Sequence, residues 1–257
     1  MKEGQKLWTR EELIVTVNLY YKLPFGRLHR LNPAVIHLAN LIGRTPDSVA
    51  YKLVNFASLD PSLKARGIKG ASNTSKLDVK IWNEFFENLD ILPFESEKLL
   101  ANFEHMSIEQ LNHIPEFELQ KEGKTRDQLL KVRVNQSFFR SSILASYNNT
   151  CCITGIQQPE FLIAGHIKPW SVDEKNRLNP QNGIAINALH DKAFETGLLT
   201  ITTDFKIKIS STLLKQKKSK SIEDYFLKFD NQDIILPSRF FPDIEFLKYH
   251  NEFRFKH

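Results

Sequence analysis

Cysteine is scarce: the chain of 257 residues has two, Cys151 and Cys152, and they are adjacent. Adjacent residues exclude a disulfide framework, and two thiols exclude a four-cysteine zinc site. Long apolar runs are also missing, since no stretch approaches the roughly 18 residues of a membrane-spanning helix. The opening residues Met1-Lys2-Glu3-Gly4-Gln5-Lys6 lack the apolar core of a secretory signal. There is no internal repeat and no long low-complexity tract. The nearest approach is Lys215–Lys220, whose four lysines read as a solvated loop or, more sharply, as a phosphate contact. The expectation is a soluble, cytoplasmic protein with no membrane partner. What is present suits a packed core: 41% hydrophobic residues, 25% charged residues and 19 phenylalanines. The length allows two domains.

Charge is uneven along the chain. Residues 1–90 carry 13 Lys/Arg against 9 Asp/Glu, a balance of +4. Residues 91–130 carry 4 against 8, or −4, and residues 131–257 carry 18 against 13, or +5. Two basic segments thus flank an acidic middle. A mild basic excess fits nucleic-acid binding, where phosphate neutralisation supplies much of the affinity, although many soluble proteins share it.

The first segment reads as helical. Thr9 and Glu12 form a capping box, followed by the apolar stripe Leu13, Ile14, Val17 and Tyr20 or Tyr21. Asn32-Pro33 and Thr45-Pro46 each place a capping residue before a proline at the first helical position. Gly43 falls between the two helices they start. A fourth helix begins near Asp78 and carries Ile81, Trp82, Phe85 and Phe86. The stretch Leu38–Ala50 resembles the turn and recognition helix of small three-helix DNA-binding domains, and Trp8-Thr9-Arg10-Glu11-Glu12 resembles the start of Myb/SANT-type repeats. That resemblance implies Ser48, Tyr51 and Lys52 facing a DNA groove, with Arg44 near phosphate. The alternative is a plain helical bundle making protein contacts.

Pro93, Glu95–Glu97, Pro115 and Glu116–Glu118 mark the acidic middle, with helices expected near Ser96–Phe103 and Ser107–His113. After Gly123 a helix carries Leu129, Leu130, Val132 and Val134, and after a break Phe138, Phe139, Ile143 and Leu144. The expected organisation is a helical domain over 1–94, an acidic helical linker over 95–130 and a third region over 131–257.

The third region holds the chemistry. Cys152-Ile153-Thr154-Gly155 reads as a short strand entering a turn, and Phe161–Ile167 as an apolar strand ending on His166. A polar loop with Lys175, Arg177 and Asn179-Pro180 leads to Asn182-Gly183 and the strand Ile184-Ala185-Ile186. A helix over Asn187–Thr196 ends at Gly197, and two strands over 198–202 and 206–210 close a hairpin. Strand, long loop, strand, helix, with His166, Asn182 and His190 at the junctions, favours phosphodiester hydrolysis. A histidine held against water serves as general base near neutral pH. A helix histidine can bind a divalent metal, and an asparagine can pin the loop between them. Lys168, Lys175 and Arg177 lie where a phosphate backbone would pass.

The motifs Cys152-Ile153-Thr154-Gly155, Ala164-Gly165-His166-Ile167-Lys168-Pro169-Trp170, Asn179-Pro180-Gln181-Asn182-Gly183 and Leu189-His190-Asp191-Lys192-Ala193-Phe194-Glu195-Thr196-Gly197-Leu198 follow one another in order. Together they resemble the HNH endonucleases, most closely the restriction-type branch. The resemblance covers 147–210 well and 130–257 loosely. It implies an α+β fold, a helical N-terminal domain followed by a ββα-metal nuclease domain. It also implies His166 as general base, Asn182 as the residue orienting the loop or completing the metal site, and His190 as a metal ligand. Many of these enzymes carry aspartate before the base histidine as a second ligand, and here that position is Gly165. Asn187, His190 and Asp191 share one helix face at i, i+3 and i+4, so Asn187 or Asp191 could replace it. Paired Cys-x-x-Cys knuckles are absent, so no structural zinc is expected. Trp170, Phe194 and the C-terminal helix within 231–257 read as packing, and the two cysteines as buried thiols.

The function implied is a metal-dependent endonuclease using Mg²⁺ or Mn²⁺ on double-stranded DNA, with a restriction or defence role by analogy. Cutting both strands with one site per chain points to a homodimer. The rival readings are a DNA-binding regulatory protein with a degenerate nuclease site, fed by Gly165, and an HNH nuclease that acts on RNA or nicks one strand.

Overall fold

The computed structural model describes residues 6–68, 70–71, 73–120, 125–215 and 219–257. Residues 1–5, the Gly123 boundary and Lys217 and Lys218 of the lysine tract lie outside the described residues. The chain divides into two compact units, 1–141 and 142–257.

Unit 1 is helical. Helix α1 (Arg10–Lys22) starts at the Thr9/Glu12 capping box. Helix α2 (Pro33–Leu41) is capped by Asn32, and α3 (Pro46–Leu59) by Thr45, each with proline in its first turn. Gly43 sits between them at φ 66°, a left-handed conformation that costs glycine little, and the Arg44 N–H returns to the carbonyl of Ala39. Helix α4 (Pro61–Ala65) follows, capped by Asp60, whose other oxygen accepts from Tyr20 Oη at 2.7 Å. Helix α5 (Lys76–Glu87) begins at a Ser75/Asp78 capping box and brings Trp82 against the α1 aromatics. Tyr21 stacks on Trp82 at 6.2 Å between centroids, and Tyr20 meets it edge-on at 5.5 Å.

The acidic middle packs inside unit 1 and does not stand apart as a linker. Helix α6 (Leu92–Phe103) buries Glu97, which accepts from Asn18 Nδ2 at 2.9 Å and Asn112 Nδ2 at 3.2 Å and pairs with Lys22. A carboxylate taken out of water needs such partners, and they anchor the segment to α1. A short helix α7 (Ile108–Leu111) precedes α8 (Arg126–Ser146). Helix α8 runs unbroken through the expected interruption, having neither glycine nor proline along its length. Leu129, Leu130 and Val134 form a core with Leu119.

Unit 2 is built on a two-stranded antiparallel sheet. Strand β1 (Leu162–His166) pairs with β2 (Gly183–Asn187), with His166 opposite Gly183 and Leu162 opposite Asn187. Every residue of β2 is buried, which fits its uninterrupted apolar run. Cys151–Gly155 forms a turn and not the expected strand, although the Cys152 N–H reaches Ala185 O at 2.7 Å. Helix α9 (Ala188–Glu195) leaves β2 directly. Gly197 ends the turn after it at φ 75°, where a Cβ would collide with the Arg254 carbonyl. Strands β3 (Leu199–Ile201) and β4 (Ile207–Ile209) form the expected hairpin. Helices α10 (Ser211–Leu214), α11 (Lys220–Tyr225) and α12 (Ile244–Phe253) complete the unit. Among the described residues no helix is long and apolar enough to cross a membrane.

Candidate active site

The loop between β1 and β2 is held by its own polar residues. Asn182 is fully buried; its Oδ1 accepts from the Lys168 N–H at 2.8 Å, and its Nδ2 donates to the carbonyls of Lys168 at 3.1 Å and Asn176 at 3.2 Å. One amide thus ties the start of the loop to its end. Asp173 adds a second tie, accepting from Lys168 Nζ at 2.9 Å and Asn176 Nδ2 at 3.0 Å. Arg177 donates from Nε to the Trp170 carbonyl at 3.0 Å and lies over the Trp170 ring at 5.3 Å.

This folded loop presents a carbonyl to the histidine. His166 Nε2 lies 2.9 Å from Arg177 O, and the ring meets Trp170 edge-on at 5.5 Å. A carbonyl only accepts, so Nε2 carries the proton and Nδ1 the lone pair of the neutral ring. Burial pushes the His166 pKa below the ordinary histidine value, against the opposing Arg177 carbonyl. That shift favours the neutral imidazole.

His166 lines a cavity of about 440 Å³ with Gly165, Trp170, Asp191, Glu195 and Arg254 among its walls. Asp191 Oδ1 stands 2.7 Å from the position that a Cβ on Gly165 would take. The strand gives up its side chain at 165, and the carboxylate from α9 fills that place. Burial pushes the Asp191 carboxyl above the usual aspartate value, the Glu195 charge adds to this, and Lys192 opposes it.

Asn187 and His190 do not reach the cavity. Asn187 is the N-cap of α9: its Oδ1 accepts from the N–H groups of Leu189 and His190, both at 3.1 Å. Its Nδ2 donates to His190 Nδ1 at 2.6 Å and approaches Cys151 Sγ at 3.5 Å and Thr154 Oγ1 at 3.4 Å. The second His190 nitrogen, Nε2, donates to Tyr225 O at 2.6 Å, and the rings of Phe226 and Phe229 meet the imidazole edge-on. Both nitrogens of His190 are engaged here, and the residue is 1% exposed. The i, i+3, i+4 spacing put three polar groups on one broad face, but Asn187 and His190 bond each other while Asp191 lines the cavity.

A strand–loop–strand–helix unit with a base-competent histidine on the first strand and a carboxylate on the helix has thus been built from local interactions. Residues 151–202 match the HNH endonuclease family. No curated protein matches the chain. The matched segment lies in the C-terminal half, after the helical region, and the family it matches is one of endonucleases.

The basic residues expected on substrate have mixed surroundings. Lys168 pairs with Asp173, Arg177 pairs with Glu174 at 2.8 Å, and Lys175 is exposed. In unit 1, Tyr51 is exposed and Ser48 is half-buried. Arg44 and Lys52 turn inward, contrary to expectation. Arg44 donates to Glu12 Oε2 and Leu7 O, both at 2.7 Å, and its guanidinium lies 4.1 Å over the Trp8 ring. Lys52 Nζ bridges both Asp78 oxygens at 2.9 Å. Each cation answers a carboxylate buried in its capping box, which has the stronger claim on it than solvent. Sequence reasoning missed Glu195 and Arg254 as cavity residues. Glu195 lies one helical turn beyond Asp191, a spacing that pointed to it; no local signal marked Arg254.

Among the described residues, no group of three or more His, Cys, Asp or Glu side chains is arranged to hold a metal ion. Of the two cavity carboxylates, Asp191 and Glu195, burial leaves the charge of Asp191 poorly compensated, and its oxygens are donors of the type a hard divalent cation takes.

Proposed function

We infer that the protein is an HNH endonuclease that hydrolyses DNA phosphodiesters with the help of Mg²⁺ or Mn²⁺. The observation that carries this reading is His166, neutral and fixed by Arg177 O, in one cavity with the Asp191 carboxylate. His166 Nδ1 takes a proton from water as the water oxygen attacks phosphorus, and the P–O bond to the leaving sugar oxygen breaks. Asn182 and Asp173 hold the loop that keeps Arg177 O on Nε2, so the lone pair keeps its direction. Asp191 is the residue that would hold the cation, with water and phosphate oxygens completing its shell. When bound, a divalent cation supplies charge neutralisation at the scissile phosphate. A restriction or defence role, double-stranded DNA as the substrate and a homodimer belong to this proposal on the strength of the family resemblance.

Plasmid cleavage with Mg²⁺ or Mn²⁺ tests it. His166→Ala is expected to lose about 10²–10⁴-fold in rate while DNA binding persists. Equal cleavage by the variant, or none by the wild type with either metal, overturns it.

A further inference from the structure

The C-terminal end of α12 borders the catalytic cavity. Gly197 O accepts from the Lys256 N–H at 2.9 Å, and Arg254 donates to Glu195 O at 2.8 Å, so this end is fixed against the close of α9. A second open concavity of about 440 Å³ lies there, lined by Lys192, Glu195, Thr196, Phe253, Arg254 and Lys256. Glu195 and Arg254 line both it and the catalytic cavity, so the two are adjacent.

Its chemistry is unusual for a solvated helix end. Phe253 is 68% exposed, and Tyr249 packs against it one turn earlier at 5.0 Å between ring centroids. Lys168 Nζ stands 5.2 Å from the Tyr249 ring, so the aromatic pair has cations at both ends. Lys192, Arg254 and Lys256 are exposed, with Glu195, the surface partner of Lys192, Asp191 and Glu252 as the nearby acids. An exposed aromatic face among cations is the pattern by which proteins hold unpaired nucleic acid: rings stack on bases and cations follow the phosphates. A duplex would use the cations but leave the ring without a base to stack on.

We propose that Phe253 and the cations Lys192, Arg254 and Lys256 form the track for an unpaired DNA strand entering the catalytic cavity, with one base stacked on Phe253. The proposal rests on the nuclease reading and narrows its substrate to DNA with an unpaired stretch. Binding and cutting are read separately. The full chain carrying His166→Ala is titrated, without divalent metal, against fluorescent oligothymidylate and against a duplex of equal length, at several salt concentrations. Adding Phe253→Ala is expected to weaken single-strand binding about tenfold, the size of a lost base stack, and to leave the duplex within about twofold. Adding Lys256→Ala is expected to lower the salt slope for the single strand by about 0.7. Unchanged single-strand affinity in Phe253→Ala, equal loss on both substrates, or no single-strand binding overturns the track. If the wild type still cuts plasmid, the nuclease reading survives that result; if it cuts no nucleic acid while the track effects appear, the nuclease reading alone fails.

Discussion

His190 and Asp191 are consecutive residues of α9 with opposite surroundings. His190 is enclosed between aromatic rings with a partner on each nitrogen. Asp191 reaches across the strand to the space Gly165 leaves open and faces the cavity with its charge poorly compensated. Unit 1 repeats the first pattern at Arg44 and Lys52, cations consumed by buried carboxylates. A polar residue enclosed by complementary partners maintains the fold, whereas one held by the fold without a full set of partners is available for chemistry.

That contrast can be broken by mutation. The largest effect is expected at Arg44→Ala, which strands Glu12, 4% exposed at its side chain, without its closest cation. Loss of one partner of a buried pair costs about 3–5 kcal/mol, read as a lowered denaturant midpoint, with nucleic-acid affinity per folded molecule unchanged. A selective loss of affinity at full stability would return Arg44 to the substrate surface. Next come the two α9 neighbours, compared directly. Asp191→Asn should cut about 100-fold more slowly and abolish any metal-induced rise in melting temperature, while gaining stability without metal, because a raised carboxyl pKa opposes folding at neutral pH. His190→Ala should do the reverse, losing about 2 kcal/mol of stability and keeping its activity per folded molecule. Matching activity losses in both would erase the distinction.

The acid response needs no mutation. His250 donates to the Phe194 carbonyl and is stacked on that ring at 3.7 Å; burial lowers its pKa to about 4. The unfolded chain binds this proton near pH 6.5, so the folded form loses stability as pH falls from there to about 4, by up to about 1.4 kcal/mol per pH unit. His166 is shifted the same way, and cleavage should decline only below pH 6.5. An acid limb above that value would disqualify it as the base.

Much of the molecule was legible because its signals are local. Thr9/Glu12, Asn32-Pro33 and Thr45-Pro46 start helices by contacts within four residues, and each starts one here. The order of strand, loop, strand and helix around His166 was equally plain, and Asn182 does pin the loop it closes. Less legible was the acidic middle: its charge marks a boundary in composition, but Glu97 finds two of its partners on α1, some 75–79 residues earlier in the chain.

The sequence by itself determined the helix starts, the ββα order and the histidine at the strand end, since capping, proline geometry and apolar periodicity act over a few residues. Only the tertiary structure decided which polar side chains remain available, because partners such as Tyr225 for His190, Glu12 for Arg44 and Asp78 for Lys52 come from elements distant in the chain. Burial and complementary charge are properties of the packed fold, and no spacing rule along one helix contains them.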